Sequence, residues 1–313
     1  MEKIDVIVQS YRKPESLIYT LLSLKKCCGE HIDTIYIDDD QSNDGTIDLY
    51  NEKLIKTMEP IKILVRVNQK KSGYTHTCMT WKAFKKKHFF EKMQLFSYFF
   101  INRIKFYKTS DDIRYQWGIN HTNKKFVFII HDDIKFYADI IGLYLNCFAN
   151  NPNLAIVGDL GGSKRCEFGP CFEKDCNPSK IMNGYRPCKN WPITGKEKNF
   201  IYKIIGRKSR HCRINEWCCM LDVEKTKILE NKYGVYFGNY EGGGDVGTFW
   251  FEKAIHEGFD FIDPLPERER RLKYYLHWWQ GYEGHSIWLN NENKYNKEFI
   301  SDCLKKEFKY EIN

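Results

Sequence analysis

Ile4-Asp5-Val6-Ile7-Val8-Gln9-Ser10-Tyr11-Arg12-Lys13-Pro14-Glu15-Ser16-Leu17 joins a β-rich run, a polar break and a helix start. Pro14 suits the first helical turn, where its missing N–H would have no partner in any case. Leu17, Leu21 and Leu24 then recur at helical spacing. The same unit repeats at once. Residues 32–37 read as a second strand, stopped by Asp38-Asp39-Asp40, and Asn43-Asp44-Gly45-Thr46 reads as a turn and helix start. Residues 61–67 read as a third strand. A βαβαβ opening implies an α/β fold, with a mostly parallel central sheet and helices on its faces.

In open sheets of this kind ligands bind beyond the carboxyl ends of the strands. The segments to search are therefore Gln9-Ser10-Tyr11, Asp38-Asp39-Asp40, residues 68–73, and His131-Asp132-Asp133 after the apolar run 126–130. All four polar clusters fall at one edge of the expected sheet, and that coincidence points more firmly to a site than any one of them.

The rest of the chain is less regular. Residues 82–108 are basic and aromatic and read as helical. They admit two readings, an in-plane membrane helix or a helical excursion packed on the domain's own core. Residues 159–210 are loop-like. Beyond them, 216–221 reads as a strand, 223–230 and 245–257 as helices, and 259–262 as a short strand. The expected organisation is one domain over 1–265, with a helical insertion at about 75–110 and a Cys-rich loop region at 159–210, then a C-terminal extension over 266–313.

The composition suits a globular protein: 313 residues, 42% hydrophobic and 16% aromatic, enough to bury a sizeable core. The net charge of +8 is compatible with phosphate-rich ligands, anionic membranes or nucleic acid, and selects none of them. Basic residues are spread along the chain, without the long runs of a nucleic-acid tail. The start lacks the charge pattern and apolar length of a secretory signal. No stretch approaches the roughly 20 apolar residues of a spanning helix. The expectation is a cytoplasmic protein, or one peripheral on the cytosolic membrane face. In such a compartment the twelve cysteines are thiols or metal ligands rather than disulfides. Cys27-Cys28 and Cys218-Cys219 read as buried, inert thiols.

Three acidic clusters are candidates for chemistry. Asp132 and Asp133 follow a strand directly. Two carboxylates held together repel each other unless a cation intervenes, and a hard divalent ion binds one or two carboxylates along with substrate phosphates. The bland alternative is an acidic turn capping the next helix near Asp139. Asp44 reads as a cap, whereas Asp39 sits at a strand end, where it could accept hydrogen bonds from a base edge or ribose. In Glu241-Gly242-Gly243-Gly244-Asp245 the glycines allow close backbone approach. Asp245 is there either a helix N-cap or a general base. Cys166, Cys171, Cys176 and Cys188 could hold a structural Zn²⁺. Their spacings of four, four and eleven residues are not the paired arrangement that identifies such sites.

Together these segments resemble family-two glycosyltransferases of the GT-A fold. The stretch from Asp5 to Leu17 looks like that family's opening strand, loop and helix, and Asp39-Asp40-Gln41-Ser42-Asn43-Asp44-Gly45-Thr46 is similar to its D-D-x-S-x-D-G-T stretch. Arg114-Tyr115-Gln116-Trp117-Gly118-Ile119-Asn120 resembles the basic helix before its metal motif. His131-Asp132-Asp133 looks like the D-x-D motif with His in the first place. Gly244-Asp245 resembles the segment that carries the base, with a glycine run in place of its usual acidic neighbour. The resemblance covers about residues 4–262, with gaps at 75–110 and 159–210.

The resemblance implies a metal-dependent, inverting transfer of a sugar from a nucleoside-diphosphate sugar, UDP-linked by default, to a hydroxyl of a glycan or lipid-linked acceptor. Asp39 would bind the base, with Gln9, Ser10 and Tyr11 beside it. Asp133, assisted by Asp132, would hold Mn²⁺ or Mg²⁺ against the diphosphate, and Arg114 would add positive charge. Asp245 would deprotonate the acceptor. His277 or His285, from the tail, could close over the phosphates, and His277 is counted here with the metal residues. Peripheral membrane contact is compatible with this reading, and a nucleic-acid partner is not expected. Two other classes stay open: a nucleotidyltransferase with a similar sheet and metal, and a non-catalytic or zinc-stabilised binding protein, for instance for nucleic acid.

Overall fold

The computed structural model describes residues 2–71, 77–100, 104–160, 213–240, 246–277 and 296–312. Seven strands form the central sheet: β1 (Ile4–Ser10), β2 (Ile32–Asp39), β3 (Lys62–Val67), β6 (Phe126–Ile130), β8 (Leu154–Leu160), β9 (Ile214–Asp222) and β10 (Asp260–Ile262). Two small sheets join the remaining strands, β4 (Thr77–Thr80) with β5 (Ile104–Tyr107), and β7 (Ile134–Phe136) with β11 (Tyr275–His277). The order across the large sheet is β10-β8-β9-β6-β1-β2-β3. Every neighbouring pair is parallel except those of β9, which runs antiparallel to β6 and β8. The mostly parallel sheet read from the βαβαβ opening is therefore present, and β9 is its one reversed strand.

The pleat of each strand sorts the core into two layers. Ile4, Val6 and Val8 of β1 and Phe126, Phe128 and Ile130 of β6 face one cluster, and Ile7, Val127 and Ile129 face the other. That is the period-two alternation of a strand with both faces covered. On the first face lie the helices Pro14–Cys28, Ile140–Asn150 and Lys297–Phe308, through Leu17, Leu21, Tyr144, Ile300 and Leu304. On the second lie Gln116–His121, Val223–Tyr233 and Thr248–His256, through Ile119, Leu229 and Trp250. The C-terminal helix thus shares the first core. Its docking is completed by Tyr19 against Phe308, ring centroids 5.3 Å apart, and by Lys297 on buried Glu15 at 2.9 Å.

Gly118 shows how closely the layers approach. A Cβ there would lie 2.6 Å from Cγ1 of Ile7, so only glycine lets this helix rest on β1. Within 82–108 the expected helix is realised as two, Trp81–Lys86 and Phe89–Phe100. Residues 104–107 differ from that expectation and form β5, because β4 offers a parallel edge for them to pair with. The described cysteines are all free thiols. Burial pushes those of Cys218 and Cys219 well up and that of Cys28 to about 12, which keeps them protonated and unreactive. Among the described residues no helix is long and apolar enough to cross a membrane.

Candidate active site

The helix Pro14–Cys28 positions the acidic motif. Ser16, Thr20 and Ser23 share one face of it, at i, i+4 and i+7. The Ser16 hydroxyl donates to the carbonyl of Asp132 at 2.7 Å. The backbone N–H of Ile134 donates to Thr20 Oγ1 at 3.0 Å, and that of Phe136 to Ser23 Oγ at 3.1 Å. These side chains satisfy one edge of β7 as a neighbouring strand would. The other edge pairs antiparallel with β11, in a register that sets His277 opposite Ile134. Thr20→Val should leave the buried N–H of Ile134 without an acceptor. We expect a loss of about 1–3 kcal/mol in denaturant unfolding, and Thr20→Ser should restore most of it.

This β7–β11 pairing brings the tail onto the strand-end motif. Nε2 of His277 lies 3.0 Å from Oδ1 of Asp133. His131 completes the group, its Nδ1 3.9 Å from the same oxygen. One ligand atom from each of His131, Asp133 and His277 lies within 4.8 Å of the others. Burial and the neighbouring His277 push the His131 imidazole well below its usual range, so it is neutral and has a lone pair to offer. Burial raises Asp133, but His277 and Lys13 more than offset it and keep the group ionised. A neutral imidazole beside an ionised carboxylate is the donor set a divalent cation requires. Two imidazoles with one carboxylate suit a first-row transition ion such as Mn²⁺ better than Mg²⁺, which prefers oxygen.

Asp132 is placed differently from its neighbour. It is fully buried, and its Oδ1 accepts from Lys13 Nζ at 2.8 Å. Burial pushes its carboxyl above the usual carboxylate range against the pull of Lys13. Its Oδ2 is buried, with no hydrogen-bond partner among the described residues. The motif thus divides, with Asp133 toward the histidines and Asp132 toward the lysine. The capping role weighed for this segment belongs to Asp139, whose carboxylate accepts from Gly142 N at 2.9 Å.

The cluster borders a cavity of about 370 Å³ at the carboxyl edge of the sheet. Gln9, Ser10, Tyr11, Arg114, Asp132 and His277, all candidates from the sequence, line it. Asp39 does not. Its carboxylate accepts from the backbone N–H of Ser42 at 2.8 Å and from the Ser42 hydroxyl at 2.5 Å, which shapes the loop, while Asp40 reaches the cavity wall. Arg114 is held with its guanidinium 5.6 Å from the centre of the Tyr240 ring. The backbone of Gly238 presses on the arginine's own carbonyl, and a Cβ there would come to 1.9 Å from that oxygen.

Arg213, Glu216 and Trp217 also line the cavity, and sequence reading passed over them. Arg213 donates to Glu216 Oε2 at 2.9 Å, and the other oxygen of Glu216 lies 3.8 Å from His131 Nε2. Trp217 stacks on His277 with centroids 5.3 Å apart. Only the antiparallel insertion of β9 beside β6 puts these residues next to His131, and no motif signals such an insertion. Asp245 and Glu241 lie outside the described residues, as do His285 and the cysteines Cys166, Cys171, Cys176 and Cys188.

No family model and no curated protein matches this chain. Solved structures do. One is the mannosyltransferase PcManGT from Pyrobaculum calidifontis, in complex with GDP-Man and Mn²⁺, at a TM-score of 0.46 and 12% identity over 84% of this chain and 54% of that one. Another is TarS 1-349 of S. aureus, at a TM-score of 0.44 and 13% identity over 87% of this chain and 59% of that one. The chain therefore spans a little over half the length of the structures it resembles.

Proposed function

We propose that this protein is a nucleotide-sugar-dependent glycosyltransferase. One observation carries the reading: a His-Asp-His cluster opens onto a strand-end cavity that also holds Arg114 and Arg213. A donor set for a divalent ion beside two guanidinium groups suits a diphosphate. His131, Asp133 and His277 would hold Mn²⁺, which when bound supplies Lewis-acid charge against the departing diphosphate.

The chain's own residues divide the remaining work. Gln9, Ser10 and Tyr11 form the wall that would receive the nucleoside, and Asp39 keeps the neighbouring loop in shape. UDP-sugars are the preferred donors in this reading. Arg114 and Arg213 offset phosphate charge. Lys13 neutralises Asp132, which leaves Asp133 as the carboxylate that meets His277 directly. Asp245 would accept the proton of an acceptor hydroxyl in a glycan or lipid-linked substrate. The bond from that oxygen to the anomeric carbon forms as the bond to the phosphate oxygen breaks. The nucleoside diphosphate departs, and direct displacement inverts the anomeric centre.

The test is thermal unfolding with UDP- and GDP-sugars, each with and without Mn²⁺. A donor at a hundred times its dissociation constant should add about 2.7 kcal/mol. No response to any nucleotide under either condition would remove the proposal, and release of pyrophosphate in place of a nucleoside diphosphate would make the enzyme a nucleotidyltransferase. Asp245→Asn separates chemistry from capping, since Asn caps a helix equally well. Turnover should fall with donor binding retained, and parental turnover would reduce Asp245 to a cap.

A further inference from the structure

The helix Phe89–Phe100 is amphipathic in the unusual sense, with its apolar side outward. Phe89, Met93 and Phe96 fall at i, i+4 and i+7 and so share a face, with Phe90 beside it. These four side chains are 70%, 57%, 56% and 84% exposed. The opposite side faces the protein. Leu95 packs with Met79 and Ala83, and Glu91 pairs with Lys253 at 3.0 Å. Next to it the helix Trp81–Lys86 exposes Trp81, which is 60% accessible and stacks on Phe106 with ring centroids 4.1 Å apart.

Charge identifies the occupant of this face. From 81 to 108 the chain carries eight basic residues and a single acidic one. That acid is Glu91, already engaged by Lys253 on the inner side. Lys82 and Lys85 are exposed on the neighbouring helix. A second copy of the chain pairing through this same face would bring two such positive surfaces together. An anionic bilayer offers both what the aromatics need and what the lysines need.

We propose that this face docks on an anionic membrane surface, with Phe89, Phe90, Met93 and Phe96 seated at the headgroup boundary and Lys82 and Lys85 against the lipid phosphates. The inference does not depend on glycosyl transfer and can fail or succeed separately from it.

Vesicle co-sedimentation of the full chain tests it. The protein should sediment with vesicles of phosphatidylcholine mixed with phosphatidylglycerol and remain in solution with phosphatidylcholine alone. Binding should fall steeply toward ~1 M salt, where the screening length is only ~3 Å. Lys82→Glu with Lys85→Glu should weaken it by roughly 25-fold or more, about fivefold for each lysine charge removed. Phe89→Ser with Phe90→Ser and Phe96→Ser should abolish it. All these positions are exposed, and an unchanged circular dichroism spectrum would confirm that the variants fold. Failure to sediment with either vesicle would overturn the proposal, as would equal, salt-insensitive binding to both. So would a dimer, seen by light scattering, that the phenylalanine variants dissolve.

Discussion

Asp133→Ala should leave the protein folded and remove its response to Mn²⁺. Oδ1 of Asp133 is the point on which the cluster converges, 3.0 Å from His277 and 3.9 Å from His131. Without it the His-Asp-His cluster keeps two imidazoles and loses its one carboxylate, so a bound dication has much less charge to offset it. Nucleotide binding that depends on Mn²⁺ should therefore fall below detection in a calorimetric titration, while any metal-independent binding at Gln9 to Tyr11 persists. His277→Ala should give a smaller loss, since one imidazole and the carboxylate remain. A parental Mn²⁺ response in Asp133→Ala would place the metal elsewhere and undo the assignment of the cluster.

Lys13→Met should destabilise the fold by about 3–5 kcal/mol, the cost typical of stripping one partner from a buried ion pair. Lys13 and Asp132 are both buried, and among the described residues the Asp132 carboxylate has no hydrogen-bond partner at its other oxygen. Methionine fills much the same space as the lysine stem, so the loss would come from charge and not from a cavity. The double variant Lys13→Met with Asp132→Leu removes the orphaned charge and should regain most of the stability. Equilibrium unfolding in urea of the two variants and the parent distinguishes these outcomes. If the double variant is no better than the single, the lysine acts through packing and the ion-pair account fails.

Much of the frame is legible in the sequence. The strands at residues 4–8, 32–37 and 126–130 could be read because strands covered on both faces are nearly uninterrupted apolar runs. Pro14 marked the helix start and the leucines after it marked one face, since both signals act within a single turn. The gathering of the polar segments followed as well, because side chains just past parallel strands lie at one edge of the sheet. Local chemistry was enough to choose Asp133, Arg114 and the Gln9-Ser10-Tyr11 turn as candidates.

What lay beyond that reading depends on contacts between distant segments. Asp132 and Asp133 are adjacent and chemically identical in sequence, yet one meets Lys13 and the other His277. Only the direction each takes from the strand end decides this. The role of Asp39 turned in the same way on a partner three residues on, Ser42, which absorbs its carboxylate and leaves the cavity wall to Asp40. Glu216 and Arg213 gained their place through β9 running backwards between β6 and β8, a pairing set by sheet packing and carried by no periodicity. The outward aromatic face of Phe89–Phe100 was hidden for a related reason. A helical pattern shows which residues share a face, but which face the protein covers is decided by the partners available, here Met79, Ala83 and Lys253.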